Sequence, residues 1–174
     1  MLVCMETSNM TDIFHTGKKS DKQAFFEVQV NWLEDNKGLL SADDITHPVT
    51  VALPPEFGGE GKDWSPEHLL LSALTGSYMT TFLAFSRKLG FEIFQFECSA
   101  IGQVEVVDGK YAFTTINLSP KMFITHESAR ELAALAMDKT RNGCLVANSI
   151  QARIIYHGEI KLHHLVHNEQ EDQF

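Results

Sequence analysis

Sulfur and imidazole are the reactive groups this sequence offers most plainly, and their spacing restricts what they can do. The cysteines are Cys4, Cys98 and Cys144, an odd and sparse set. No CxxC pair and no Cys/His zinc spacing accompanies them, so neither a disulfide framework nor a structural metal is indicated. Cys98 falls on an alternating apolar and polar run and reads as core, whereas Cys4 reads as an exposed terminal thiol. His157, His163, His164 and His167 cluster towards the C-terminus. His163 and His167 stand one helical turn apart, a spacing that suits a metal, but no carboxylate-rich or cysteine-rich set joins them. We expect no metal and no cofactor. Gly61-Lys62 resembles the end of a phosphate loop, yet Glu56 stands where the first glycine is required and Asp63 where Ser or Thr is required. That reading fails.

Three residues remain as candidate catalytic groups: Ser77, Cys144 and Glu67. Ser77 sits with Thr75 and Gly76 inside an otherwise apolar run, where folding alone would favour Leu or Ala. It reads either as a small residue that lets two helices approach or as the polar floor of an apolar pocket. A hydrolase nucleophile is a poor fit, because Thr75-Gly76-Ser77-Tyr78-Met79 lacks the second glycine of a G-x-S-x-G elbow. Cys144 follows a helix end and reads either as a small buried hydrophobe or as a reactive thiol. Glu67 is an acid in a first helical turn, worth about 0.3–1 kcal/mol to the helix dipole, or a site residue.

The element that must position Ser77 is a long helix. Ser65 suits an N-cap and Pro66 the first helical position, and Gly90 ends the run about 24 residues later, roughly 36 Å of helix. Its apolar residues, from Leu69 to Phe85, fall almost all round the cylinder, which predicts burial on most sides. Before it, Phe25–Trp32 reads as a strand with Phe26, Val28, Val30 and Trp32 on one face. A turn at Asp35–Gly38 returns the chain through Leu39 and Leu40, and 48–53 forms a further strand. After the helix, alternation from Phe94 through Val106 reaches Asp108-Gly109, a strong two-residue hairpin signal, and a return strand runs from Tyr111 to Leu118. A second helix is expected over about His126–Asn142, capped at Thr125 or Ser128, with Leu132, Leu135 and Ala136 as its apolar stripe. A last strand covers Ile150–Tyr156. The order β-β-β-α-β-β-α-β makes an α+β domain with antiparallel and mixed sheets around a long central helix. Its expected extent is 23–158, with a flexible arm at 1–22 and a tail at 159–174.

The formal net charge of −9, with no basic stripe, argues against nucleic acid and anionic membrane as partners. No apolar run reads as a membrane span and Met1–Met5 lacks the marks of a signal peptide, so a cytoplasmic protein is expected.

Three stretches resemble the OsmC/organic hydroperoxide resistance (Ohr) family when taken in order. They are Pro55-Glu56-Phe57-Gly58-Gly59 with Ser65-Pro66-Glu67-His68-Leu69-Leu70, then Leu74-Thr75-Gly76-Ser77-Tyr78, then Asn142-Gly143-Cys144-Leu145-Val146-Ala147-Asn148-Ser149-Ile150. The resemblance spans about Phe25 to Tyr156 and implies an OsmC-like fold in an intertwined homodimer, with active sites at the subunit interface. It also implies two-cysteine, peroxiredoxin-like reduction of organic hydroperoxides in the oxidative stress response. In that chemistry a thiolate takes the distal peroxide oxygen and becomes a sulfenic acid, which a second thiol condenses to a disulfide.

Counting ten residues from Glu67, as the family's motif requires, places Ser77 at the attacking position, and Cys144 matches the resolving cysteine. Oxygen cannot be oxidised along the sulfur ladder, so Ser77 cannot perform the peroxidatic step. The family's N-terminal arginine has no counterpart either, since the first arginine is Arg87. The expected protein is therefore a diverged or impaired relative of the thiol-dependent hydroperoxide reductases, with a degenerate site. The alternative is a non-catalytic binder of a small apolar ligand on the same dimeric scaffold.

Overall fold

The computed structural model describes residues 23–163. The expected arm at 1–22, with Cys4, and the part of the expected tail that carries His164 and His167 lie outside the described residues. The described chain divides into two compact units, one ending at Ala73 and the other beginning at Leu74. The sequence reading took 23–158 as one domain; the two units each carry their own sheet, and the sheets share no strand.

The first unit holds a three-stranded antiparallel sheet in the order β1 (Gln29–Glu34), β2 (Lys37–Ser41), β3 (Val49–Ala52). Asp35 and Asn36 make the tight turn between β1 and β2, as expected, and Asp35 takes a positive φ of 43°. Val30 pairs with Leu40 and Asn31 with Leu39. β1 starts later than the alternation suggested, and every one of its residues is exposed, Trp32 at 75%. An apolar stripe specifies a face, but it buries that face only where another element lies against it. After β3 the chain makes one 3-10 turn at Pro55–Phe57 and returns to pair Trp64 with Val51 in a parallel bridge. Helix α1 (Pro66–Leu89) then begins, its first two turns belonging to this unit.

The second unit takes the rest of α1, then β4 (Ile93–Val107), β5 (Lys110–Ile124), α2 (Arg130–Gly143), α3 (Leu145–Ser149), β6 (Arg153–Tyr156) and β7 (Glu159–Leu162). Gly90 closes α1 with a φ of +74°, donating its N–H to the Arg87 carbonyl. β4 and β5 form one long antiparallel hairpin through Asp108 and Gly109, whose φ angles of 50° and 76° are the pair a primed two-residue turn demands. β6 and β7 add parallel to β5, at Thr115–Leu118 and Lys121–Ile124. The sheet is thus mixed and the architecture α+β around a long helix, as the sequence indicated.

The core of this unit joins Phe82 and Phe85 of α1 to Phe91, Met122, Ile124, Ala133, Ala136 and Met137. Phe82 is fully buried, edge-on to Phe91 with ring centroids 6.3 Å apart. Burying one such ring contributes about 1.5–3 kcal/mol.

Five local expectations need correction. α1 buries one face, Leu74, Tyr78, Thr81, Phe82, Phe85 and Ser86, rather than most of its circumference, and leaves Leu70 and Met79 exposed. By length and composition α1 is apolar enough to cross a bilayer, contrary to the expectation that no run is; its buried face packs on protein. α2 starts at Arg130, after a 3-10 turn over Glu127–Ala129, and has no side-chain cap; Ser128 lies inside that turn. Its buried face is Ala133, Ala136, Met137, Thr140 and Gly143, while Leu132 and Leu135 are exposed. Finally, 159–162 is no tail: Ile160 and Leu162 alternate inwards from β7 and pack on the core.

Candidate functional site

Ser77 precedes Tyr78 on α1, and Tyr78 is one of the residues that fix the helix to its unit. The Tyr78 ring is fully buried, 6.4 Å from Phe96 on β4 and 5.9 Å from Tyr156 on β6, and its hydroxyl donates to the Met137 carbonyl at 3.5 Å. Ser77, one residue earlier and about 100° round the helix, is held at the edge of that cluster.

Cys144 occupies the joint between α2 and α3. Its N–H donates to the Thr140 carbonyl at 2.9 Å, completing α2, while its own carbonyl accepts the Asn148 N–H at 3.0 Å and opens α3. Its φ and ψ of −73° and 114° are extended, so the chain bends there and turns the side chain inwards. The sulfur is fully buried. The Cys144 thiol donates to Ser77 Oγ, with the two atoms 3.2 Å apart across 67 residues of sequence. Two of the three candidate residues are therefore in direct contact.

Glu67 stands in the first turn of the same helix, which runs unbroken from Pro66 to Leu89, so Glu67 and Ser77 stay ten residues apart along it. The cap of that turn does not use Glu67. Ser65 Oγ accepts the His68 N–H at 3.3 Å and lies 2.9 Å from His68 Nδ1. Glu67 Oε2 is sealed from solvent and has no hydrogen-bond partner. Glu67 also lines a pocket of about 440 Å³ within its own unit, together with Val30, Trp32, Lys37 and Leu53.

Sequence reasoning missed Tyr78, Tyr156 and Cys98, each of which interacts electrostatically with Cys144, and Arg141 beside the two tyrosines. Burial raises the Tyr78 hydroxyl's pKa well above its ordinary value, with Arg141 opposing. Burial raises Tyr156 as well, with Cys144 adding to the shift and Arg141 again opposing. The Arg141 guanidinium lies 5.1 Å from the centre of the Tyr156 ring, a cation–π contact. The signal is in the sequence, since Arg141 stands three residues before Cys144. Cys98, read as core, is half-buried and faces a small pocket of about 200 Å³ with His157 and Lys121. Burial, with Cys144 adding, pushes its thiol from an ordinary 9.0 up to about 11. His163 stacks on Phe94 with centroids 3.6 Å apart, and no group of three metal-ligating side chains exists among the described residues.

A family model described as OsmC-like protein matches residues 59–156, more than half of the chain. The curated protein named "Uncharacterized protein YmaD" from Bacillus subtilis (strain 168) is 23% identical over 132 residues, covering 74% of this chain and 88% of that protein. An OsmC-like protein from Mycoplasma pneumoniae superposes with a TM-score of 0.66 at 17% identity, covering 81% of this chain and 99% of the other. An organic hydroperoxide resistance protein from Elizabethkingia anophelis, with thiocyanate bound, superposes with a TM-score of 0.61 at 14% identity, covering 81% and 99%. At these identities the two structures establish a shared fold.

The raised pKa of Cys98 has a direct kinetic consequence. Thiolate is the alkylated form, and a shift from 9.0 to about 11 lowers its fraction at pH 8 by about a hundredfold. Cys98 should therefore react with iodoacetamide about a hundred times more slowly than an ordinary exposed thiol at pH 8. Its rate should keep rising with pH up to about 11, as peptide-level mass spectrometry would follow; a plateau near pH 9 would contradict this.

Proposed function

This chain belongs to the OsmC-like protein family, and on that premise we propose that it is a diverged relative of the thiol-dependent organic hydroperoxide reductases whose attacking sulfur is replaced by the Ser77 hydroxyl. The observation that carries this reading is the 3.2 Å contact between Ser77 Oγ and Cys144 Sγ. The resemblance gives these two residues the attacking and resolving roles, and the contact puts their side chains within reach of each other. A sulfur at position 77 would stand close enough to Cys144 to reach the 2.03–2.05 Å of a disulfide after a small shift. An oxygen there accepts a hydrogen bond from the thiol and goes no further, because a serine hydroxyl forms no sulfenic acid. Glu67 is the third residue the resemblance assigns, and its unpartnered carboxylate agrees with the loss of the cation that the family pairs with this site.

The same premise supports a homodimer. Leu70 and Met79 on α1, with Leu132 and Leu135 on α2, stay exposed in the single chain, and so does the whole of β1. Apolar side chains left out on this many elements favour association with a second copy. A second reading, a non-catalytic binder of a small apolar ligand, is favoured by the missing sulfur alone.

Two experiments test these statements. Consumption of cumene hydroperoxide with a dithiol reductant should be at background for the natural chain. It should rise at least about tenfold in Ser77→Cys and fall back when Cys144→Ala is added. Substantial turnover by the natural chain, or none in Ser77→Cys, would contradict the assignment. Sedimentation should give twice the 19.5 kDa chain mass, and Met79→Glu with Leu135→Glu should shift the species towards that of one chain. A natural chain that sediments as a monomer at micromolar concentration would remove the dimer.

A further inference from the structure

Arg141 and Glu67 carry opposite charges, and neither enters an ion pair among the described residues. Arg141 stands exposed in the last turn of α2. A helix dipole favours a cation there but gives it no particular direction. The direction comes from Tyr156, whose ring centre lies 5.1 Å from the guanidinium. Arg141 thereby bears on the sulfur site. It opposes the raised pKa of both Tyr78 and Tyr156, and it precedes Cys144 by three residues, a spacing that puts side chains on one side of a helix.

Glu67 is half-buried in the first turn of α1, with its Oε2 unpartnered in the single chain. Lys37, which lines the same groove, is already 3.1 Å from Asp63. Glu67 reaches the Ser77–Cys144 site only from a second copy, because α1 is unbroken and about 15 Å of helix separates Glu67 from Ser77 in one chain. The apolar residues left exposed on α1, α2 and β1 favour a second copy against these same elements. In a twofold pair a contact from Glu67 of one copy to a residue of the other occurs twice. A second copy laid over α1 would also leave the carboxylate in need of a cation, since a buried charge without a partner is costly.

We propose that in the homodimer Glu67 forms an ion pair with Arg141 of the partner subunit, closing each Ser77–Cys144 site with a carboxylate from the other chain. The inference rests on the dimeric reading of that site. It supplies from α2 the cation that the N-terminal part of the sequence does not offer. Guanidinium and carboxylate match in two parallel hydrogen bonds, a geometry that lysine cannot copy. The face of the guanidinium stays on Tyr156 while its edge donates to the carboxylate, so the two contacts do not compete.

The test reverses one charge in each of two full-length chains, Glu67→Arg and Arg141→Glu. Either chain alone forms a homodimer with like charges at both junctions, whereas a mixed dimer joins opposite charges at both. Expressed together with different affinity tags and counted by native mass spectrometry, the mixed dimer should exceed either like dimer at least about tenfold. A mixed dimer at about twice either like dimer, the statistical ratio, overturns the proposal. So does a chain carrying both substitutions that recovers thermal stability while the mixed pair does not, since the two charges would then act within one chain. Should a reversed charge prevent folding, Glu67→Gln and Arg141→Gln carry the same question. Each should weaken the dimer, and the two together should weaken it no more than about twofold beyond the stronger single change; losses that multiply, or no loss at all, overturn the proposal. A monomeric natural chain would remove the dimer itself, whereas a dimeric natural chain without preferential mixing removes only this pair.

Discussion

The buried face of α1 is the constraint from which the rest of the second unit follows. Leu74, Tyr78, Phe82 and Phe85 recur at helical spacing and are buried together, Phe82 within the aromatic core and Tyr78 between Phe96 and Tyr156. With that face fixed, the rotation of the helix is fixed, and so is the direction of every side chain on it. Ser77 has no freedom to turn away from Tyr78. Cys144 is fixed from the other side, since its backbone N–H and C=O are both committed to the helices it joins. The contact between the two residues is thus a consequence of packing at two separate places rather than of any attraction between a thiol and a hydroxyl, which is weak.

This separation between scaffold and chemistry means that position 77 can carry serine or cysteine without disturbing the fold. Sulfur and oxygen at position 77 make similar demands on volume, and neither contributes to the aromatic core. What changes is the reaction the proposed site can support. On the proposed reading, a hydrogen bond from thiol to hydroxyl stands where the family's chemistry would form and break bonds to sulfur.

Much of this was legible in the chain itself. The bounds of α1 followed from Ser65, Pro66 and Gly90, and the β4–β5 hairpin from Asp108-Gly109, because each of those residues has a backbone preference that acts locally. The pairing of Ser77 with Cys144 was legible only through resemblance, since nothing in spacing brings together residues 67 apart. The errors arose where burial depends on something beyond the segment. The apolar stripes of β1 and of Leu132 and Leu135 are real, but they are exposed in the single chain. β7 does alternate, Glu159 and Lys161 outwards and Ile160 and Leu162 inwards, but four residues give too short a pattern to register. The joint at α3 was lost because a five-residue helix gives too short a pattern to register.

The claim that position 77 and Cys144 form one site is tested most directly by covalent capture. Ser77→Cys, oxidised with diamide under denaturant-free conditions and digested with its thiols blocked, should yield one dominant cross-linked peptide joining position 77 to Cys144. A dominant link from either position to Cys98, or two free thiols at 77 and 144 after oxidation, would contradict the account.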